Sequence, residues 1–195
     1  MLNGKFIGVA EQANVFVLEQ KFTVRSAKKV TLFATALGVY FAEVNGVRVG
    51  DGYLAPGWTS YNKTLQVQEY DITSLVKEGE NILTLTVNEG WYCGPLTWER
   101  KRDTYGKQPA VCADLIADGK RILSTDESWS ARESFIRESG IYNGETQDFT
   151  VDLKPLTPVA VAFDKKALVP QMCEPVRTME RIPVKEVIRT PKGEL

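Results

Sequence analysis

The sequence predicts an all-β sandwich. Three observations point there: many short runs rich in Val, Leu, Thr and Phe, turn dipeptides such as Asn45-Gly46 and Asp118-Gly119 between them, and a single stretch of helical character near residues 72–78. A chain of 195 residues is long enough to bury one such core.

The elements follow in order. Residues 15–24, VFVLEQKFTV, read as a first strand, and residues 26–29 as a polar turn. Residues 30–37 are nearly all apolar or Thr, the pattern of a strand covered on both faces. Residues 40–44 and 47–49 flank Asn45-Gly46, which tolerates the positive φ angles that a type I′ hairpin turn demands. Residues 64–70 alternate. Asp71-Ile72-Thr73 opens a brief helical run in which Asp71 caps free backbone N–H groups, with Gly79 expected to close it. Residues 82–88 then place Leu83, Leu85 and Val87 on one face and Thr84 and Thr86 on the other, which marks a half-buried strand.

Residues 109–117 and 120–124 form a second hairpin around Asp118-Gly119. Residues 126–131 carry Trp129 in a short extended run. Residues 139–149 are turn-rich around Asn143-Gly144, and residues 158–164 are the last clear strand. Beyond them Pro170, Pro175, Pro183 and Pro191 forbid helix and interior strand, so an edge strand plus a linker is expected.

Composition removes several function classes. A net charge of -1 offers no basic footprint for nucleic acid. No apolar run approaches membrane-spanning length, and the start MLNGKFIGVAEQAN lacks the pattern of a secretory signal. Cys93, Cys112 and Cys173 are odd in number and widely spaced, which fits a reducing compartment, so a cytoplasmic location is expected. The chain has no histidine, which removes the commonest general base, the commonest metal ligand and any Ser-His or Cys-His nucleophile. A structural zinc is not expected; a metal here would be a hard cation on oxygen ligands.

The ordered set VYFAEVNGVRVGD, LAPGWTSYNK and YDITSLVKEGENILTLTVNEGWYCG resembles the N-terminal β-sandwich of bacterial α-L-rhamnosidases. The pieces VNGVRVG and DITSLVKEGENILTL are similar, more distantly, to the sugar-binding jelly-roll domains at the front of many glycoside hydrolases. The resemblance runs from about residue 16 to residue 161 and is most specific between Tyr40 and Gly94. It implies a jelly-roll, galactose-binding-like topology over residues 1–164. Residues 165–195 would be an extended segment leading to a following domain absent from this chain. It also implies a parent enzyme that hydrolyses terminal α-L-rhamnose by inversion, with its catalytic carboxylates on a helical barrel elsewhere. The expected partners are rhamnose-containing glycans and the remaining domains of that enzyme.

The candidate binding residues are Asp51, Trp58, Asn88, Trp91 and Tyr105. Trp58, Trp91-Tyr92, Trp98 and Tyr105 sit beside Gly and Pro outside the alternating runs. Rings presented on loops pack on the C–H faces of a pyranose while amide and carboxylate groups bond its hydroxyls. The competing reading is that these rings plug the ends of the sandwich. Asp51, flanked by Gly50 and Gly52, matches a position where the resemblance implies a calcium and rhamnose loop. Gly52 supplies no second side-chain oxygen, and an Asp bonding its own turn stands as the alternative. Asn88 and Glu89 precede Trp91, and Arg100, Lys101, Arg102 and Asp103 follow Trp98 as a charged loop.

Glu145 and Asp148 are paired carboxylates of the kind glycosidases use. A loop-pinning role for Glu145, through N–H groups or an arginine, is expected instead. Cys93 has no base nearby in sequence and reads as inert. Two further readings stand beside sugar binding: a structural or assembly module, and a self-contained hydrolase working through Glu145, Asp148, Glu89 or Asp51. No orienting partner is visible for the last.

Overall fold

The computed structural model describes residues 2–193; Met1 and the last two residues of the proline-rich segment lie outside it. Its strands are β1 (Phe6–Val9), β2 (Val15–Val24), β3 (Val30–Leu37), β4 (Val39–Val44), β5 (Val47–Arg48), β6 (Leu65–Asp71), β7 (Gly79–Asn88), β8 (Ala110–Ala117), β9 (Lys120–Ser124), β10 (Ser130–Glu133), β11 (Ile136–Gly140), β12 (Gly144–Gln147), β13 (Pro155–Leu156), β14 (Pro158–Val161) and β15 (Leu168–Pro170). One sheet has the order β14-β1-β8-β3-β6-β15, with β9 also pairing β8; the facing sheet runs β13-β10-β2-β7-β4-β5. β11 and β12 pair only with each other. The expected all-β sandwich is the observed fold.

Strand alternation assigns the faces. Val30, Leu32, Ala34 and Ala36 of β3 and Val111, Ala113 and Leu115 of β8 join Phe16, Leu18, Leu83, Leu85 and Val87 in the core between the sheets. The opposite face of the first sheet is mixed: Thr31, Thr35 and Asp114 share it with apolar side chains. Phe6, Leu37, Leu65, Ala110 and Cys112 form a second buried cluster on the outer face of the first sheet. That sheet therefore needs cover on both sides, and loops supply it on the outside.

The expected hairpin forms at Asn45-Gly46, with φ values of 53° and 77°. A helical turn forms over Thr73–Leu75 as a 3-10 turn, and Asp71 Oδ1 accepts from Thr73 N at 2.9 Å and from its hydroxyl at 2.6 Å. Those bonds, the hydroxyl's foremost, hold the Asp71 carboxyl below its usual range. Gly79 does not close this turn: Val76 is already extended, and Gly79 opens β7. Four strands, β1, β11, β12 and β13, fall outside the sequence reading. β1 is a short run near the N-terminus, β11 and β12 make the turn-rich residues 139–149 part of a hairpin, and β13 is a two-residue strand. β15, parallel to β6 with Leu168 opposite Leu65, is the edge strand expected beyond residue 164.

The chain changes sheets between β3 and β4 through Gly38 alone. Its φ is +131°, and a Cβ there would lie 2.1 Å from the Asn88 carbonyl oxygen. Both the left-handed backbone and the close approach exclude a side chain. Gly38→Ala is expected to destabilise the fold by at least about 2–3 kcal/mol. Gly46→Ala, at a positive φ with open space around it, costs about 1–2 kcal/mol. Urea midpoints of the two variants check this order; equal midpoints would contradict it.

Candidate functional site: an aromatic platform at one end of the sandwich

Two long connections meet over the outer cluster: residues 49–64 between β5 and β6, and residues 89–109 between β7 and β8. The first is rooted by Tyr61, whose side chain is wholly buried and whose hydroxyl donates to the Gly57 carbonyl at 3.3 Å. The second begins with one helical turn, α1 (Gly90–Cys93), which buries Tyr92 and Cys93 and leaves Trp91 half-buried. Arg102 ties the foot of this connection by an ion pair to Glu89 at 2.5 Å.

Five rings interlock there. Tyr61 meets Tyr92 edge-on, with centroids 5.3 Å apart, and Tyr105 edge-on at 5.0 Å. Trp58 and Trp91 lie nearly parallel, 9° apart, with centroids separated by 6.0 Å. Trp58 Nε1 donates to the Tyr105 hydroxyl at 3.3 Å. Edge-on and stacked pairs are the arrangements the ring quadrupole favours. Burial raises the Tyr61 hydroxyl far above its usual pKa, so this root stays neutral. Half of the Trp58 surface remains in solvent, 50% of it exposed, above a root that is dry.

Three of the five sequence candidates thus come together: Trp58, Trp91 and Tyr105. Of the two tyrosines that lock them in place, Tyr92 stood among the loop rings and Tyr61 did not. The available signal was the Trp58-x-x-Tyr61 and Trp91-Tyr92 spacing, which puts a second ring beside each presented one. Trp98 is fully exposed, and Trp129 is the interior tryptophan, its Nε1 bonded to the Ser124 carbonyl at 3.0 Å.

Asp51 and Asn88 have other partners. Asp51 Oδ1 receives Arg177 Nε at 2.9 Å, and that bond foremost holds its carboxyl below the usual range. Asn88 donates to the Asn14 and Ser139 carbonyls at 3.2 and 2.9 Å and accepts from Gly90 N at 2.8 Å. Its amide ties β2, the β11 strand and α1 together. Asn88 and Glu145 also line a groove of about 590 Å³ between the second sheet and the β11–β12 hairpin, with Phe41, Tyr53 and Phe135. A second groove, of about 710 Å³, crosses the outer face of the first sheet past Phe33, Val67 and Leu168; no ring of the platform lines it.

The family model described as "Alpha-L-rhamnosidase N-terminal domain" matches residues 25–180. The chain belongs to this family. It is 35% identical to an α-L-rhamnosidase of Streptomyces avermitilis over 97% of its length, covering 20% of that protein. An α-L-rhamnosidase of Formosa agariphila is 34% identical over 69% of the chain and is covered to 15%. Among solved structures, the native α-L-rhamnosidase of Aspergillus terreus superposes over 98% of the chain and 25% of its own, with a TM-score of 0.90 at 29% identity. The S. avermitilis α-L-rhamnosidase complexed with L-rhamnose superposes over 93% of the chain and 19% of its own, with a TM-score of 0.78 at 31% identity. This rhamnosidase N-terminal domain spans about a fifth of the first of those curated relatives.

Within the domain, the carboxylates singled out for acid–base chemistry are held in ways that suit structure. Asp148 Oδ1 accepts from the Thr150 hydroxyl at 2.7 Å and from its backbone N at 2.8 Å. The hydroxyl first, then the N–H, lowers its pKa, opposite to what a general acid needs. Glu145 is exposed and takes the Gln147 amide of its own strand, so its partner is neither a backbone N–H nor an arginine. A calcium ion does not fit the donor set at Asp51, whose single carboxylate is already compensated by a guanidinium. Among the described residues no group of three or more Asp, Glu, Cys or His is placed to hold a metal.

Burial above all, with Glu89 and Asp103 adding to it, pushes the Cys93 thiol up to about 12, and burial pushes Cys112 up to about 12 as well. Cys173 is exposed. At pH 8 the folded domain is expected to take one iodoacetamide label, on Cys173, and three after unfolding, read by intact mass. A second label on the folded chain would contradict this environment for Cys93.

Proposed function

We propose that this chain is a non-catalytic accessory module of an α-L-rhamnosidase, contacting rhamnose-containing glycans through Trp58, Trp91 and Tyr105. The hydrolysis of terminal α-L-rhamnose then belongs to parts of the parent enzyme beyond this chain. The observation that carries the reading is the stacked Trp58–Trp91 pair, half open to water and held by a buried tyrosine root. A pre-ordered aromatic face loses little entropy when a sugar ring lies on it, and the C–H face of a pyranose is the apolar surface it fits. The Tyr105 hydroxyl, beside the Trp58 N–H, offers a polar group at the edge of that face.

A second reading, an assembly module that packs on the rest of the enzyme, is favoured by one specific observation. The extended segment after β15 exposes Met179, Ile182, Val184 and Val187 at 90%, 82%, 79% and 71%. Such a concentration of apolar side chains suits a partner surface.

Calorimetric titration with L-rhamnose and with a rhamnosylated glycoside separates the two. Saturable heat is expected from the unmodified chain and is lost in Trp58→Ala, a variant that leaves the buried root in place. A chelator is expected to leave the affinity unchanged, since Asp51 is engaged by Arg177. Silence with both sugars, together with concentration-dependent sedimentation, would give the role to assembly alone.

A further inference from the structure

The platform leaves one tryptophan unused. Trp98 is 102% exposed, and it stands at the tip of a short excursion from the platform itself. Leu96 and Lys101 exchange backbone hydrogen bonds of 2.8 and 2.9 Å, and Arg100 N donates to the Thr97 carbonyl at 3.1 Å. Thr97 and Arg100 take the φ values 63° and 51° that so tight a turn requires. The base of the excursion is closed by Asp103 N on the Cys93 carbonyl at 3.1 Å and by Tyr105 N on the Tyr92 carbonyl at 3.2 Å. The residues that hold Trp91 and Tyr105 therefore also hold the finger that carries Trp98. Trp98 lies five positions after Cys93, so their Cα atoms are at most about 18 Å apart.

A fully exposed indole on a hydrogen-bonded finger is placed to meet something. Its flanking residues decide what. Glu99, Arg100 and Lys101 follow it in the chain and are exposed, so hydrogen-bonding side chains stand beside the ring. A single ring among hydrogen-bonding groups suits a polar ligand with an apolar face, which is a sugar unit.

We propose that Trp98 is a second sugar-stacking subsite, so that the domain reads a rhamnose-containing oligosaccharide rather than a single sugar. One unit lies on the Trp58–Trp91 face, and a later unit of the same chain lies on Trp98, its hydroxyls within the reach of Glu99 and Arg100. This proposal rests on the sugar-binding reading of the platform.

The test is titration of the full chain with L-rhamnose and with a rhamnose-containing trisaccharide, in the unmodified protein and in Trp98→Ala, Trp98→Phe and Trp58→Ala. The unmodified chain is expected to bind the trisaccharide more tightly than the monosaccharide. Trp98→Ala weakens the trisaccharide by roughly three- to tenfold and leaves the monosaccharide unchanged, and Trp98→Phe recovers part of the loss. Trp58→Ala weakens both ligands. Monosaccharide binding with no trisaccharide advantage, or equal loss of both ligands in Trp98→Ala, overturns the second subsite and spares the platform. Binding of neither sugar by the unmodified chain overturns both.

Discussion

Part of the outer face of the first sheet is apolar, and much of the molecule follows from that. Phe6, Leu37, Leu65, Ala110 and Cys112 point away from the central core, yet all are buried. An uncovered patch of that size would expose apolar surface at about 25 cal/mol per Å². Helices do not cover it, because the chain has only short helical turns among its described residues. The connections before β6 and before β8 cover it instead, and they do so with rings. Tyr61 and Tyr92 fill the buried layer, Trp91 and Tyr105 the half-buried one, and Trp58 the layer that meets water. The platform is the outermost course of a hydrophobic plug. Its order comes from the packing underneath rather than from the loops' own propensity.

The same arrangement answers the choice between a ring that plugs the sandwich and a ring that faces outward. The two roles are divided along each connection. Tyr61 plugs and Trp58 faces out, three residues apart on one loop; Tyr92 plugs and Trp91 is shared, as neighbours on one helical turn. A cluster of edge-on pairs with one open stacked pair has both rigidity and accessible surface, and those are the properties that recognition of a weakly polar ring face requires.

What was legible in the sequence was local. Asn45-Gly46 and Asp118-Gly119 announce hairpins because the backbone itself demands residues that accept positive φ, and both pairs do so here. The alternation of Leu83, Leu85 and Val87 reads directly as the inner face of β7. Illegible features depend on partners far along the chain. β1 is four residues long and becomes a strand only through its pairing with β14, more than a hundred residues later. β15 ends at a proline, and its parallel place beside β6 has no signature in periodicity. Asp51 read as a ligand because two glycines flank it, but its arginine lies 126 residues away in the chain. Asn88 looked like a binding amide for the same reason: nothing near it in sequence reveals that Asn14 and Ser139 take up its donors.

The departing chain is bound to the loop that carries Trp58, and one buried side chain joins them. Gln66 faces the interior at 4% exposure, where an unbonded amide would be costly. Its Nε2 donates to the Pro56 carbonyl at 3.3 Å, two residues before Trp58, and its Oε1 accepts from Met172 N at 2.7 Å and Cys173 N at 3.2 Å. The contact continues outward: Tyr53 N donates to the Val176 carbonyl at 2.8 Å, and Arg177 closes on Asp51. Residues 172–177, just past the edge strand, are thus a strap over the loop. Displacing the strap would leave the Gln66 carbonyl without its donors inside the fold, so the path of the exit and the seat of the Trp58 loop are set by the same hydrogen bonds. Seen this way, the Asp51 carboxylate completes the strap: its charge is compensated by the segment through which the chain leaves the sandwich.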